Sequence, residues 1–560
     1  MTRTLQTRLK RCLHMAAFFA LGLMLQTATA LAKDLVIGIT QYPSTFHPNI
    51  DSMLAKSYVH GLTRRPVTVT DADWTLQCML CTSLPTLENG GAVLEKTPDG
   101  KDGIAVTYRL QKDAVWADGV PVSVDDVIFT WEVGKHPQSG VASAEGYRRI
   151  LSIDRIDDKI FTLHVDRRTF DYNDLSSLNL LPAHIERDKF NDPAAYRTQT
   201  TFDTAPTTLG LYMGPYVMTK VETGSFMVFE KNPRWWGKAP AFDKITVRVI
   251  ENTATLEANL LSGSIDMIAG ELGLNVDQAL AFEQRHSDRF HVQFNPGLIY
   301  EHIDLMLDNP ILADRRVRQA LMYALDRKVI SERLFGGKQP VADTGVNPLD
   351  WVYADDVPRY PHDLRKAAEL LDAVGWTRRG NEVRKNAAGA PLRFTLMTTA
   401  GNRTRELVQQ VLQSQWKAAG IEVRINNEPA RVFFGETVTK RKFEAMAMFA
   451  WISAPESVPR TTLHSEEIPT EANNWSGQNY TGYKNPDLDK ILETIELELD
   501  RRKRKAMWRE LQHIYATELP ALPLYFRANP FIMPPWLAGI RPTGHQYPTT
   551  LWVEEWAVKK

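Results

Sequence analysis

One stretch limits the possible folds of this chain more than any other. Residues 391–453 run as a strand pattern (PLRFTLMTTAG), a helical pattern (RTRELVQQVLQSQWKAAG), a second strand (IEVRINNEP) and an apolar strand (FEAMAMFAWIS). A strand, a helix and a strand in that order read as a β-α-β unit within an open sheet. The first half alternates in the same way. DLVIGIT (34–40), SFMVFEKN and KITVRVIE read as strands, the last two joined by the aromatic turn PRWWGKAPAFD. GIAVTYRLQKDAVWADG is a strand that turns at Asp118-Gly119, and SVDDVIFTWEVG is a helix capped by Ser123. TATLEANLLSGSIDMIAG is a helix stopped at Gly263 and followed by a strand. Such alternation predicts an α/β layer architecture. At 560 residues the chain exceeds one ordinary core, so two or three domains are expected.

The second half predicts longer helices. ADRRVRQALMYALDRKVISERLF reads as one helix capped by Asp314, and PHDLRKAAELLDAVGW as another ended by Gly375. The densest positive run, Arg501 to Lys505, is expected inside a helix whose apolar stripe includes Ile491, Leu492, Ile495 and Leu499. Glu498 and Asp500 stand four residues before Arg502 and Arg504, so a solvated helix face is expected. No 20–50-residue repeat and no low-complexity segment is visible.

The N-terminus predicts export. Arg3, Arg8, Lys10 and Arg11 precede the apolar stretch MAAFFALGLML, and Ala30-Leu31-Ala32 supplies a small-x-small cleavage pattern after Ala32. The apolar run falls short of the roughly 20 residues that span a bilayer. Cys12 precedes that run, so it cannot serve as a lipid-modified cysteine at the cleavage site. Cleavage would leave 62 basic against 67 acidic residues, a formal charge of −5, which argues against a nucleic-acid surface. The cysteines left are Cys78 and Cys81, in LQCMLCTSLP. A disulfide closing a tight turn is the simplest outcome in an oxidising compartment, with free thiols as the alternative. Zinc would need two further ligands, and a redox motif would need a helix that TSLPTLENGG does not continue into.

Motifs for phosphate, dinucleotide, zinc-protease or nucleophile-elbow chemistry are absent from the sequence. His286 and His291 lack ligand spacing. Asp125-Asp126 fits a helix N-terminus, and Asp355-Asp356 fits a solvated turn. Fourteen tryptophans fit either large cores or the lining of a pocket.

Several segments, in order, resemble one family. TYRLQKDAVWADGVPVSVDDVIFTWE (107–132) is similar to the signature of the extracellular solute-binding proteins of family 5, the binding components of peptide, nickel and related ABC importers. GPYVMTKVETGSFMVFEKNPRWWGKAPAFDKITVRVI, LLSGSIDM, DRRVRQALMYALDRKVI, KAAELLDAVGW and ELPALPLYF resemble further family segments. The resemblance implies a type 2 periplasmic binding protein (cluster C-like): two α/β lobes, a two-strand hinge and an extra N-terminal subdomain. Lobe I would comprise 33–66, 205–292 and 515–560, the accessory subdomain 67–204, and lobe II 293–514. It also implies a monomer in the periplasm, without cofactor or catalysis, that closes on a short peptide or peptide-like solute and delivers it to the ABC permease in the inner membrane.

The resemblance implies site residues as well. In peptide-binding members the strand matching Met446 to Ile452 pairs its backbone with the ligand, which makes Ala450, Trp451, Ile452 and Ser453 candidates. The family's loop reads Trp-x-x-Asp, its Asp holding the ligand's α-ammonium. Here Ala454 stands at that position, and Glu456 is the acid nearby. Either Glu456 substitutes, or the ligand lacks a free amine there. Tyr42 and Phe46, in QYPSTFHP, would face the cleft or pack beneath the hinge. Trp475, Asn479 and Tyr480 would form a wall or pack their loop, Tyr483 would pack on the next helix, and Asn347 and Trp351 would sit at the rim. The alternative on the same scaffold is a non-peptide solute: an opine, an oligosaccharide, a chelated metal or haem. An exported hydrolase or sensor would need clustered catalytic groups, which the sequence does not display.

Overall fold

The computed structural model describes residues 34–51, 53–473, 475 and 477–559. The export segment, its cleavage after Ala32 and Cys12 lie outside the described residues. Ten strands form one sheet in the order Glu422–Ile425, Arg393–Met397, Met446–Ile452, His291–Leu305, Ala521–Met533, Met267–Ile268, Asp34–Ile39, Lys244–Val249, Phe226–Lys231 and Tyr216–Glu222. The β-α-β unit is as expected: Arg393–Met397 lies parallel to both Glu422–Ile425 and Met446–Ile452. Two long strands, His291–Leu305 and Ala521–Met533, pair antiparallel from His291↔Met533 to Asp304↔Ala521 and join the two halves of the sheet.

Three apolar cores are the largest among the described residues. Ile37, Tyr58, Phe229 and Val247 belong to one, Leu321, Leu396, Leu412 and Trp416 to the second, and Val106, Trp116, Val127 and Phe161 to the third. The third packs a separate four-stranded sheet. Near it, Cys78 and Cys81 form a disulfide with their Cα atoms 5.0 Å apart. Ser123 and Asp126 make a reciprocal capping box on the helix Val124–Lys135. Among the described residues no helix is long and apolar enough to cross a membrane.

Two expected helices are each divided. The segment after Asp314 forms Arg315–Tyr323 and Arg327–Phe335, because the Asp326 carboxylate caps the second by accepting from the Val329 amide at 2.9 Å. Likewise Pro486–Leu497 and Arg501–Glu518 are separate helices, and Asp500 caps the latter by accepting from the Arg502 and Lys503 amides. Asp500 is therefore spent on backbone, and Arg504 turns inward to Glu456 instead of lying on a solvated face. The expected boundaries at 292/293 and 514/515 fall inside the strand His291–Leu305 and the helix Arg501–Glu518.

The halves also approach at Gly297, whose missing side chain matters: a Cβ there would lie 2.5 Å from the Gly544 carbonyl oxygen. The Leu298 amide donates to that same oxygen.

Candidate functional site

Strand alternation builds the site. Pairing of Met446–Ile452 with His291–Leu305 sets Trp451 opposite Tyr300, Phe449 opposite His302 and Ala447 opposite Asp304, so these side chains share one face. The helix Arg501–Glu518 covers that face with Trp508, Gln512 and Tyr515. Between them lies a cavity of about 190 Å³, also lined by Ile452, Ser453 and Ala454. That volume is far above the roughly 10–15 Å³ needed by one water.

The strand beside the cavity has an open backbone edge. Arg393–Met397 pairs with it at only two positions, Leu396↔Met446 and Met397↔Ala447. Thr398 Oγ1 then donates to the Met448 carbonyl at 2.7 Å. From Phe449 to Ile452 no strand covers that edge among the described residues.

Polar groups converge on the cavity floor. His302 is buried, with Nδ1 3.2 Å from the Tyr300 carbonyl and Nε2 3.2 Å from Asp304 Oδ1. The Tyr300 and Tyr515 hydroxyls share a hydrogen bond of 2.9 Å. Burial pushes both phenols up, so both stay neutral donors and acceptors at ordinary pH. Asp350 accepts from the Glu456 and Val352 amides, and burial raises its carboxyl above the usual range.

Several candidate residues take other places. The Glu456 carboxylate accepts from Arg504 Nε at 2.6 Å and from Trp351 Nε1 at 3.1 Å, so its oxygens are already committed. Trp351 itself lies under the Arg501 guanidinium, 4.1 Å from the ring centroid. Asn479 is fully buried and holds its own loop. Its Nδ2 donates to the carbonyls of Leu463, His464 and Tyr483, and its Oδ1 accepts from the Tyr483 amide. Trp475 is half-buried away from the cavity, its amide bonded to the Thr470 carbonyl. From that segment Gln478 and Thr481 reach the cavity instead. Tyr480 braces the wall by stacking on Trp451 at 5.8 Å. Tyr483 packs with Leu488 and Leu492 of the following helix, as expected.

Phe46 is buried in the first core. Tyr42 packs against that core with its hydroxyl turned to Thr223 and Gly224. Ala450 is half-buried on the face opposite the cavity, across from Glu301. Asn347 lines the cavity and donates to the Gly297 carbonyl at 2.7 Å. Tyr300, His302 and Asp304 were not among the candidates. Their signal was the spacing of polar groups at every second residue in IYEHIDL.

Contacts bridge the opening beside the cavity. The Gln546 amide donates to the Ser453 carbonyl at 3.2 Å, and the Phe170 amide donates to the Glu496 carbonyl at 2.9 Å. Arg504 stacks over Phe170 at 4.4 Å, and Arg460 lies 3.8 Å from Glu145.

The family model described as bacterial extracellular solute-binding proteins, family 5 Middle, matches residues 91–468. The oligopeptide-binding protein AppA of Bacillus subtilis (strain 168) is 26% identical over 516 residues, covering 91% of this chain and 89% of its own. The nickel-binding periplasmic protein of Escherichia coli (strain K12) is 23% identical over 448 residues, covering 79% of this chain and 81% of its own. The crystal structure of the oligopeptide binding protein from Thermus thermophilus, complexed with a pentapeptide, superposes with a TM-score of 0.82. Its sequence is 30% identical, and the match covers 94% of this chain and 97% of that one.

Proposed function

Because this chain belongs to the bacterial extracellular solute-binding proteins of family 5, which are non-catalytic transport proteins, we propose that it captures short peptides or peptide-like solutes in the periplasm for an ABC permease. The observation that carries this reading is the open backbone edge from Phe449 to Ile452, set beside a cavity large enough for a side chain. An extended peptide satisfies such an edge by adding as a strand, while the cavity receives one of its alternate side chains. The pentapeptide complex of the Thermus thermophilus relative supports the same ligand class.

Capture works by population shift. A solute that touches both lobes binds the closed arrangement more tightly than the open one and draws the equilibrium towards it. The permease then reads the closed form. Trp451, Ile452 and Ser453 line the cavity, and the Gln546 amide reaches the Ser453 carbonyl from the other side of the opening.

A second reading has its own observation. Ala454 stands where a carboxylate for the ligand's amine is expected, and Glu456 is committed to Arg504. A non-peptide solute, such as an opine, an oligosaccharide or a chelated metal, would need no carboxylate at that point. Mass spectrometry of the solute that co-purifies with the exported protein separates the two. Peptides of mixed sequence are expected, whereas a single non-peptide species overturns the leading reading.

A further inference from the structure

Asp304 sits on the cavity floor and is 4% exposed. Taking a carboxylate out of water is costly unless it is paired and hydrogen-bonded. Its Oδ1 lies 3.2 Å from His302 Nε2, without the alignment of a hydrogen bond, so that buried nitrogen has no hydrogen-bond partner among the described residues. The second carboxylate oxygen also has no protein hydrogen bond among the described residues. The cavity lining carries a second acid, Asp350, but no lysine or arginine. Its walls include the rings of Tyr300, Trp451, Trp508 and Tyr515. An acidic floor under aromatic walls, with His302 beside Asp304 but no lysine or arginine, is complementary to a cation that arrives on an apolar stem.

We propose that this cavity selects a ligand side chain ending in a guanidinium or ammonium group, which the Asp304 carboxylate receives while the aromatic walls enclose its stem. The inference rests on the peptide-binding reading and adds the class of side chain that the site prefers. It also answers the question left by Ala454. The carboxylate that meets a ligand cation lies on the crossing strand His291–Leu305 rather than in the loop after Trp451. An anionic side chain would face Asp304 and Asp350 with no lysine or arginine in the lining and is disfavoured. A neutral stem of the same length would fill the space but leave Asp304 with His302 as its one ion-pair neighbour among the described residues, which is the larger source of discrimination.

Calorimetry with alanine pentapeptides tests this. A single arginine is scanned through the five positions, with matched norleucine and glutamate sets. In the unaltered protein arginine is expected to bind at least tenfold more tightly than norleucine at one position, and glutamate more weakly than norleucine there. Asp304→Asn is expected to reduce the arginine advantage to less than threefold. Equal affinities for arginine and norleucine at every position overturn the cation preference and leave peptide binding standing. No binding by any of the three sets overturns the peptide reading, and this inference with it. The scan in unaltered protein decides the matter even where Asp304→Asn fails to fold.

Discussion

Without the Glu456 carboxylate, the Arg504 side chain, 9% exposed, would keep the carbonyls of Glu498 and Leu499 and the Phe170 ring but no anionic partner. A largely buried cation that loses its partner is strongly destabilising. Glu456→Ala should therefore lower the unfolding free energy by about 3 kcal/mol in a denaturant titration. Peptide affinity should change by less than threefold, because the cavity is lined by Ser453 and Ala454 rather than by Glu456. A tenfold loss of affinity with unchanged stability would restore Glu456 as the ligand's anchor. The residue's local sequence does not reveal this role, since Arg504 lies 48 positions further on.

At the scale of elements, the strand His291–Leu305 carries different chemistry on its two faces. Tyr300, His302 and Asp304 turn to the cavity, while Glu301 turns the other way to Arg405 (Nε–Oε1 2.6 Å) and Arg527 (3.8 Å). Burial alone would raise the Glu301 carboxyl, but Arg405 and Arg527 outweigh it and hold it below its usual 4.5. A carboxyl depressed in the folded state stabilises fully above its unfolded pKa, and that contribution is lost as pH falls through the folded value. Melting temperatures of Glu301→Gln and the unaltered protein should differ most near neutral pH. The gap should narrow below pH 4.5. A gap independent of pH would mean that the charge on Glu301 does not matter.

Much of this architecture was legible, because strands and helices announce themselves by period. The strands of the β-α-β unit, the Ser123 cap and the helix stops at Gly263 and Gly375 follow from side-chain alternation and backbone freedom. The two divided helices were missed because Asp326 and Asp500 cap new helices within otherwise continuous helical patterns. The family resemblance pointed to the strand end at Trp451 to Ser453, and these residues line the cavity. The cover of Trp508, Gln512 and Tyr515 was not legible. Their spacing defines a helix face, but only tertiary packing decides what that face meets.

At the scale of the molecule, three large apolar cores anchor the fold, and two long strands connect the halves of the main sheet. The bridging contacts are mixed: they include backbone hydrogen bonds from the Gln546, Phe170 and Leu298 amides, a hydrogen bond from Thr404 Oγ1 to Asp277, the Arg460–Glu145 ion pair and the Arg504 guanidinium over Phe170. Polar contacts of this kind are suited to opening, and a bound solute adds contacts that favour the closed arrangement. The central claim is that a peptide enters this opening and pairs with the edge from Phe449 to Ile452. Amide hydrogen exchange with and without a pool of short peptides tests it most directly. Slowed exchange is predicted at 449–453 and at the bridging segments around Phe170 and Gln546, with no change in the strands of the accessory sheet. Unchanged exchange at 449–453 in the presence of a saturating peptide would contradict the account.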